Sequence, residues 1–563
     1  MRPNLLLAGC LLLLLGVPMG GAVFSAVAAG LDLAAWRALA QDPQFLPSAA
    51  ATLFSAVVAS GLAAALAAFM LGAVFPGPAW SRLVRLLGPM LAVPHVAFAI
   101  GLMALVAPSG WLLRALSPWA TGFSAPPPWP TTQDPWGLGL IAVLVFKEAP
   151  FLLWAAATQL QRGDVAERLA RELLVARSLG YTPRIAWWRV VWPQLWPRLR
   201  WPLLAVLAYS LTVVDVALVI GPTSPPTLAV LAWTWLQDAD LAQNAQGAAA
   251  AWALALMLLV VAGVFWQIPN LKLWRARWTS GVRGAAAMGQ HHLAGPFKSR
   301  AVVVLMGVYL SVMLALLAGS VSGVWAFPAW LPQTFTWDAW ASVGHSASHL
   351  GATLSLALAS AATGLLWSVA WLEFAPPGWD EPMRKVIYLP LVLPSVLWLV
   401  GLHQLTVAWS LDATWCGVYI AHSLATLPYV LIAMSPAYLG FDARYWSIAA
   451  SLGKSRWQFL LQVKWPLLRA SLLASAAVGF AVSVAQYLPT LFIGAGRLTT
   501  VTTEAVTLAA GAQRSLTSAY AALQWLLPVI GFGLAAWFGQ ARRFRPAPPA
   551  HRSHPAPSPD AAR

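Results

Sequence analysis

Apolar stretches of about 20 residues, separated by short polar segments, recur along the whole chain. A hydrocarbon layer ~30 Å thick is crossed by about 20 helical residues, so each stretch predicts a membrane-spanning helix. Twelve are predicted: about 4–28, 50–75, 84–108, 137–160, 201–221, 246–268, 301–323, 349–372, 386–408, 414–437, 468–493 and 518–539. The fold class that follows is an all-α polytopic membrane protein. Lipid offers backbone groups no partner, so a span must satisfy them within its own helix.

The pattern also repeats. "PHVAFAIGL" (Pro94–Leu102) matches "PSVLWLVGL" (Pro394–Leu402), with Pro and Gly in register. "ARSLGYTPRIAWWRVVWP" (Ala176–Pro193) matches "AASLGKSRWQFLLQVKWP" (Ala449–Pro466), sharing A-x-S-L-G and a later Pro at the same spacing. The two offsets differ because the loop at about 109–136 is much longer than its counterpart at about 409–413. The chain therefore reads as two six-span halves, 1–268 and 301–540, related by an axis along the membrane normal. A basic cytoplasmic linker at 269–300 joins them, and a basic tail at 541–563 reads as disordered and cytoplasmic.

Composition sharpens this picture. The chain is 60% hydrophobic and only 9% charged, with mean hydropathy +0.70. A soluble domain carries about 25% charged residues. The net charge of +16 would suggest nucleic acid in a soluble protein; in a membrane protein it reads as basic cytoplasmic loops, so no nucleic-acid partner is expected. With the N-terminus inside, 29 of the 34 Lys and Arg fall in cytoplasmic segments or, as Arg85 and Arg469 do, at the cytoplasmic ends of spans. Arg37, Arg114, Arg497 and Arg514 fall outside, and Lys147 within a span. Acidic residues split evenly, with Glu148 and Asp215 in spans. Reversing the topology would destroy that asymmetry, so both termini are expected in the cytoplasm of a bacterial inner-membrane protein. Trp clusters at span ends, where an amphipathic ring suits the interface.

Cys10 and Cys416 are the only cysteines, which excludes a disulfide framework and a Cys-based metal cluster. The N-terminal run, with "LAGC", resembles a signal or lipoprotein segment. Few apolar residues precede Cys10 and the run continues beyond it, so a retained first span is predicted.

The doubled polar segment falls between the fourth and fifth spans of each half. "ERLARELLVARSLG" places Leu169, Leu173 and Ala176 on one helical face. Gly180 or Gly453 permits a sharp turn, and a second short helix ends near Pro193 or Pro466. Two short helices meeting at a Gly make a knob suited to a groove on another protein. One copy alone would equally suit an interfacial amphipathic loop; two copies at matching places favour paired docking.

This segment resembles the EAA loop of bacterial ABC importer permeases, E-A-A-x-x-x-G followed by a helix and a Pro. Leu174 and Ser447 replace its Glu, Val175 and Ile448 its first Ala, while Ala176 and Ala449 keep the second. The resemblance covers nearly the whole chain as two fused permease halves, similar to the thiamine and iron(III) permeases. "QYLPTLFIGAGRLTTVTTEAVTL" (Gln486–Leu508) is similar to the YnjC-like permeases. It implies coupling through Ala176, Leu179, Gly180, Pro193, Ala449, Leu452, Gly453 and Pro466 to two copies of a cytoplasmic ABC ATPase, with an extracytoplasmic solute-binding protein. The transported solute stays open: thiamine, iron(III), an oxyanion, a polyamine or another small molecule.

ATP chemistry needs G-x-x-x-x-G-K-[ST]. The "GKS" at Gly453–Ser455 has Ile448 where the first Gly belongs, so the chain is expected to be no enzyme and to bind no cofactor. Polar groups inside spans are default pathway candidates: Lys147, Glu148, Asp215 and its repeat counterpart Gln486. A helix–helix hydrogen bond, or a Lys147–Asp215 ion pair, explains them equally well. His403, Gln404 and His422 are weaker candidates, read first as packing residues. A twelve-span secondary transporter is the rival reading, but "FPGPAWSRLVR" lacks the Asp expected between its second and third spans. A membrane enzyme would need clustered His, Asp or Glu at one face, and none stands out.

Overall fold

In the computed structural model, the described residues are 2–75, 77–160, 163–267, 295–376, 378–511 and 513–540. The tail expected at 541–563 and most of the linker expected at 269–300 lie outside them. The described residues are helical over most of each predicted apolar run, and no strand is formed among them.

Nine helices among the described residues are long and apolar enough to cross a membrane, and eleven spans result if two bent pairs each count as one. The first half contributes α1 (Arg2–Gly30), α2 (Phe45–Val74), α3 (Pro78–Leu91), α4 (His95–Val106) and α5 (Leu138–Leu160). It continues with α6 (Gly163–Ser178), α7 (Trp192–Thr212), α8 (Asp215–Ile220) and α9 (Leu241–Gln267). The second half contributes α10 (Gly295–Ser320), α11 (Ala347–Phe374), α12 (Ser395–Ala408) and α13 (Trp415–Leu439). It ends with α14 (Arg444–Ser451), α15 (Arg469–Val484), α16 (Leu488–Gly494) and α17 (Arg514–Gly539).

The predicted stretches that differ do so for identifiable reasons. The third and ninth break at Pro94 and Pro394, because a Pro ring cannot continue a helix and instead caps the next one. At the ninth the two pieces meet at 99°. The fifth is α7, which carries Arg198, Arg200, Pro197 and Pro202 and stops at Val213 before α8. The eleventh breaks likewise between α15 and α16.

The repeated Pro-to-Gly segments now acquire a purpose. α1 packs on α12, and α10 packs on α4, so each half's first span lies against the third span of the other half. A Cβ built on Gly401 would stand 1.7 Å from the Ala22 carbonyl oxygen, and one on Gly101 would stand 2.7 Å from that of Val312. Only glycine lets these backbones touch. Without a hydrophobic drive between helices in lipid, such close packing holds the bundle together. Trp367 Nε1 adds a donated hydrogen bond to the Leu11 carbonyl, 3.0 Å, between α11 and α1.

Candidate functional site

Both copies of the doubled segment fold alike. α6 ends in a turn where Gly180 takes φ +85°, and α14 ends where Gly453 takes φ +72°. In the first, the Tyr181 N–H donates to the Ala176 carbonyl, 3.1 Å; in the second, the Lys454 N–H donates to that of Ala449, 3.0 Å. This left-handed helix stop favours glycine because a Cβ would crowd its own backbone there. Nothing else would meet a Cβ at either glycine, so the requirement is conformational only. Ala176 and Ala449 are buried, whereas Leu179 and Leu452 are 51% and 72% exposed at the tips.

Beyond each turn a short helix runs into a single π-helical turn, Trp187–Val191 in one half and Leu460–Lys464 in the other. The two stand at equivalent repeat positions, so the register shift belongs to the segment's design. Pro193 and Pro466 each sit in the first turn of the following helix, where a missing N–H costs nothing.

The two segments are anchored differently. In the first half, Trp187 is buried with its ring 6.0 Å from that of Phe75, over Gly72, where a Cβ would meet it at 2.8 Å. In the second half, Phe459 and Leu460 pack with Phe374 and Phe441, and charge is added. Glu373, at the foot of α11, accepts from Lys464 Nζ at 2.7 Å and from Arg456 Nη2 at 2.9 Å. Tyr438 Oη donates to the same carboxylate at 2.8 Å. The Glu373 side chain is 7% exposed and that of Lys464 14%. On the exposed approach to α14, the Arg444 guanidinium beside Asp442 holds that carboxyl below the usual carboxylate range. α6 has 16 residues and α14 only eight, so the two knobs share a turn but differ in reach.

The pathway candidates do not form one cluster of bonds. Lys147 Nζ donates to the carbonyls of Val93, 2.5 Å, and Met90, 3.1 Å, closing the break between α3 and α4. That is a backbone-capping role, and no Lys147–Asp215 ion pair is formed. Glu148 instead meets His95, Nε2 to Oε1 3.0 Å, and the His95 ring lies 4.7 Å from that of Tyr209. Asp215 opens α8, while Gln486 stands in the break before α16. Both lie at the breaks of their spans, though at the doubled segment's 273-residue offset Gln486 aligns with Val213 and Asp215 with Leu488. His95, Tyr209, Asp215 and Gln486 are all half-buried, although they lie far along their spans.

His422 has both ring nitrogens 2.8 Å from hydroxyls, those of Ser483 and Thr490, and is 1% exposed. It is a packing residue, as its isolation in the sequence suggested. His403 lies against the Phe492 ring, at 4.9 Å. Sequence reasoning missed Glu373, whose partners are 65 to 91 positions away, and it passed over His95 beside the Pro94 break. The i-to-i+54 reach of Lys147 to Val93 left no local signal either.

Comparison with known proteins bears on this geometry. The model of the family described as binding-protein-dependent transport system inner membrane component matches residues 375–544. The inner membrane ABC transporter permease protein YnjC of Escherichia coli (strain K12) is 36% identical over 93% of this chain and 95% of its own length. The molybdenum transport system permease protein ModB of Haemophilus influenzae is 28% identical over 24% of this chain and 67% of its own. The sulfate transport system permease protein CysT of Escherichia coli is 30% identical over 14% and 29% respectively.

Proposed function

The chain belongs to the binding-protein-dependent inner membrane components, the permeases of ABC transport systems, and from that premise we propose that its doubled loops are the handles of a separate ATPase. It is a multi-pass inner-membrane protein. The ATPase, in two copies, grips the knobs around Gly180 and Gly453 from the cytoplasm, where both termini also lie. Closing on ATP, it pushes the knobs and rocks the halves. A solute-binding protein delivers a small solute to the opposite face.

The observation that carries this reading is the duplicated device itself: a left-handed glycine stop, an exposed Leu at the tip and a π-helical turn, at equivalent places in both halves. Lipid-surface loops would need neither the identical stop nor the matched register shift. The loss of the EAA-type Glu in both copies leaves the grip to shape and to apolar contact through Leu179, Leu452, Leu174 and Ile448, all exposed. Glu148, Asp215 and Gln486 are the pathway groups this reading favours, and Lys147 supports them by fixing the α3–α4 break.

Uptake into membrane vesicles tests the reading. Transport should require ATP and survive collapse of ion gradients, and an ATPase should co-purify with the chain. Gly180→Asp with Gly453→Asp puts a carboxylate beside the exposed apolar tips at Leu179 and Leu452, and should abolish ATP-coupled uptake with normal membrane insertion. Gly→Asn at both sites should retain much of it, since Asn tolerates that conformation. Full uptake in the Asp double variant, or uptake driven by an ion gradient alone, would overturn the proposal.

A further inference from the structure

At the end of the bundle away from the doubled loops, the two halves enclose a cavity of about 650 Å³. That size falls in the range of small-molecule sites, roughly 300–1,000 Å³. Its walls come from the far ends of α4, α10 and α17 and from the segments that follow the first two.

Two guanidiniums meet there on one residue. Arg114 Nε donates to the Ser109 carbonyl at 2.8 Å, and Arg514 Nη1 donates to the Ser109 hydroxyl at 2.5 Å. Arg114 is 4% exposed. It is fixed by further bonds to the carbonyls of Trp325, Ala326 and Ala329 and lies over the Trp325 ring, 4.3 Å from its centroid. Those dipoles orient its charge without cancelling it. Arg514 is exposed, with the Ser109 hydroxyl as its one hydrogen-bond partner among the described residues. Neither guanidinium forms a salt bridge with a carboxylate among the described residues. Like charges held this close in a partly desolvated wall raise each other's energy until an anion arrives.

Trp111 lines the cavity with its ring, packed edge-on against Trp325, while its indole N–H is buried away from that space. One further group of donors borders the same space. α17, 26 residues long, begins at Arg514 with no side-chain cap from Gln513, so its first N–H groups and its positive dipole end open into the cavity. Asp338 is the one carboxylate in the lining, against two guanidiniums.

We propose that this vestibule is a binding site for a small oxyanion, held by Arg514 in the field of Arg114, with the start of α17 completing the donor set. It rests on the permease reading for its role as the mouth through which solute is received, but not for its chemistry. An oxyanion matches planar guanidinium donors and backbone N–H groups better than a cation or a neutral solute does.

Calorimetric titration of the full-length protein in neutral-lipid nanodiscs, at constant ionic strength, tests it with sulfate, molybdate and phosphate. Tetramethylammonium serves as the oppositely charged control. Saturable oxyanion binding is expected, weakened about tenfold by Arg514→Gln and partly kept by Arg514→Lys, a loss that corresponds to ~1.4 kcal/mol. Thermal unfolding of each variant separates lost binding from lost folding, and Ser109→Ala, which frees Arg514 without removing its charge, gives a second route. The proposal fails if no oxyanion saturates, if Arg514→Gln binds like the parent, or if tetramethylammonium binds better. No ATPase enters this measurement, so its failure leaves the motor-coupled reading standing, and a loss of ATP dependence leaves the site standing.

Discussion

Gly180 and Gly453 were legible because a repeat inside one chain exposes positions that both copies keep, and a left-handed φ is the physical reason they do. Glu373 was invisible for the opposite reason. It has no counterpart in the first half, where Ala73 occupies the equivalent place, and its cations come from the far side of the following loop. A carboxylate that is mostly buried between Lys464, Arg456 and Tyr438 is screened little by salt. Glu373→Gln keeps the shape and one acceptor but leaves Lys464 with a half-buried charge. The expected cost is about 2 kcal/mol, localised to the second knob. Trypsin should then cleave at Arg456 and Lys464 several times faster than in the parent, with the first knob unchanged. Equal cleavage rates would show that the aromatic cluster around Phe459 holds the loop without the charges.

Among the elements, the apolar periodicity located nearly every span, because hydrocarbon thickness sets helix length almost independently of sequence detail. Breaks inside spans were harder to read. Pro94 and Pro394 signal theirs openly, whereas the breaks at 213–214 and 485–487 hold neither Pro nor Gly to announce them. The matching glycines at 101 and 401 were noticed as a repeat, but their purpose needs a partner helix from the other half. Gly401→Ala would put a methyl 1.7 Å from the Ala22 oxygen, a backbone atom that cannot step aside. Separating α1 from α12 should cost about 3 kcal/mol, at the upper end for one inserted carbon. Gly351→Ala, in α11 with nothing within 4 Å, is the control, and a better helix former there should be neutral or slightly stabilising. Thermal unfolding of the two variants in one detergent should differ clearly, with Gly101→Ala closer to Gly401→Ala than to the control. Equal midpoints for Gly401→Ala and Gly351→Ala would mean that the α1–α12 crossing is looser than the backbone contact requires.

For the whole molecule, the exchange of first spans makes the halves interdependent. α1 completes the surface of the second half through Ala22 on Gly401 and Leu11 on Trp367, and α10 completes the first through Val312 on Gly101 and Tyr309 on the Phe146 carbonyl. Each half made alone would expose a glycine-floored groove, with the Trp367 N–H lacking its partner in the second half and the Phe146 carbonyl lacking its own in the first. In lipid an unfilled groove loses packing that no hydrophobic force restores. The peptide link between the halves contributes chiefly effective concentration. Dividing the chain between residues 283 and 284, and co-expressing the two pieces, should therefore preserve assembly. A tag on either piece should retrieve the other in detergent at near-equal amounts, and ATP-dependent uptake should persist. Expressed singly, each piece should accumulate several times less and unfold at lower temperature. Adding Gly401→Ala to the pair should weaken retrieval, because it acts on the contact that replaces the lost linker. If a single piece is as abundant and as stable as the pair, the crossed first spans are ornament to two self-sufficient bundles, and the rocking of one half against the other needs another hinge.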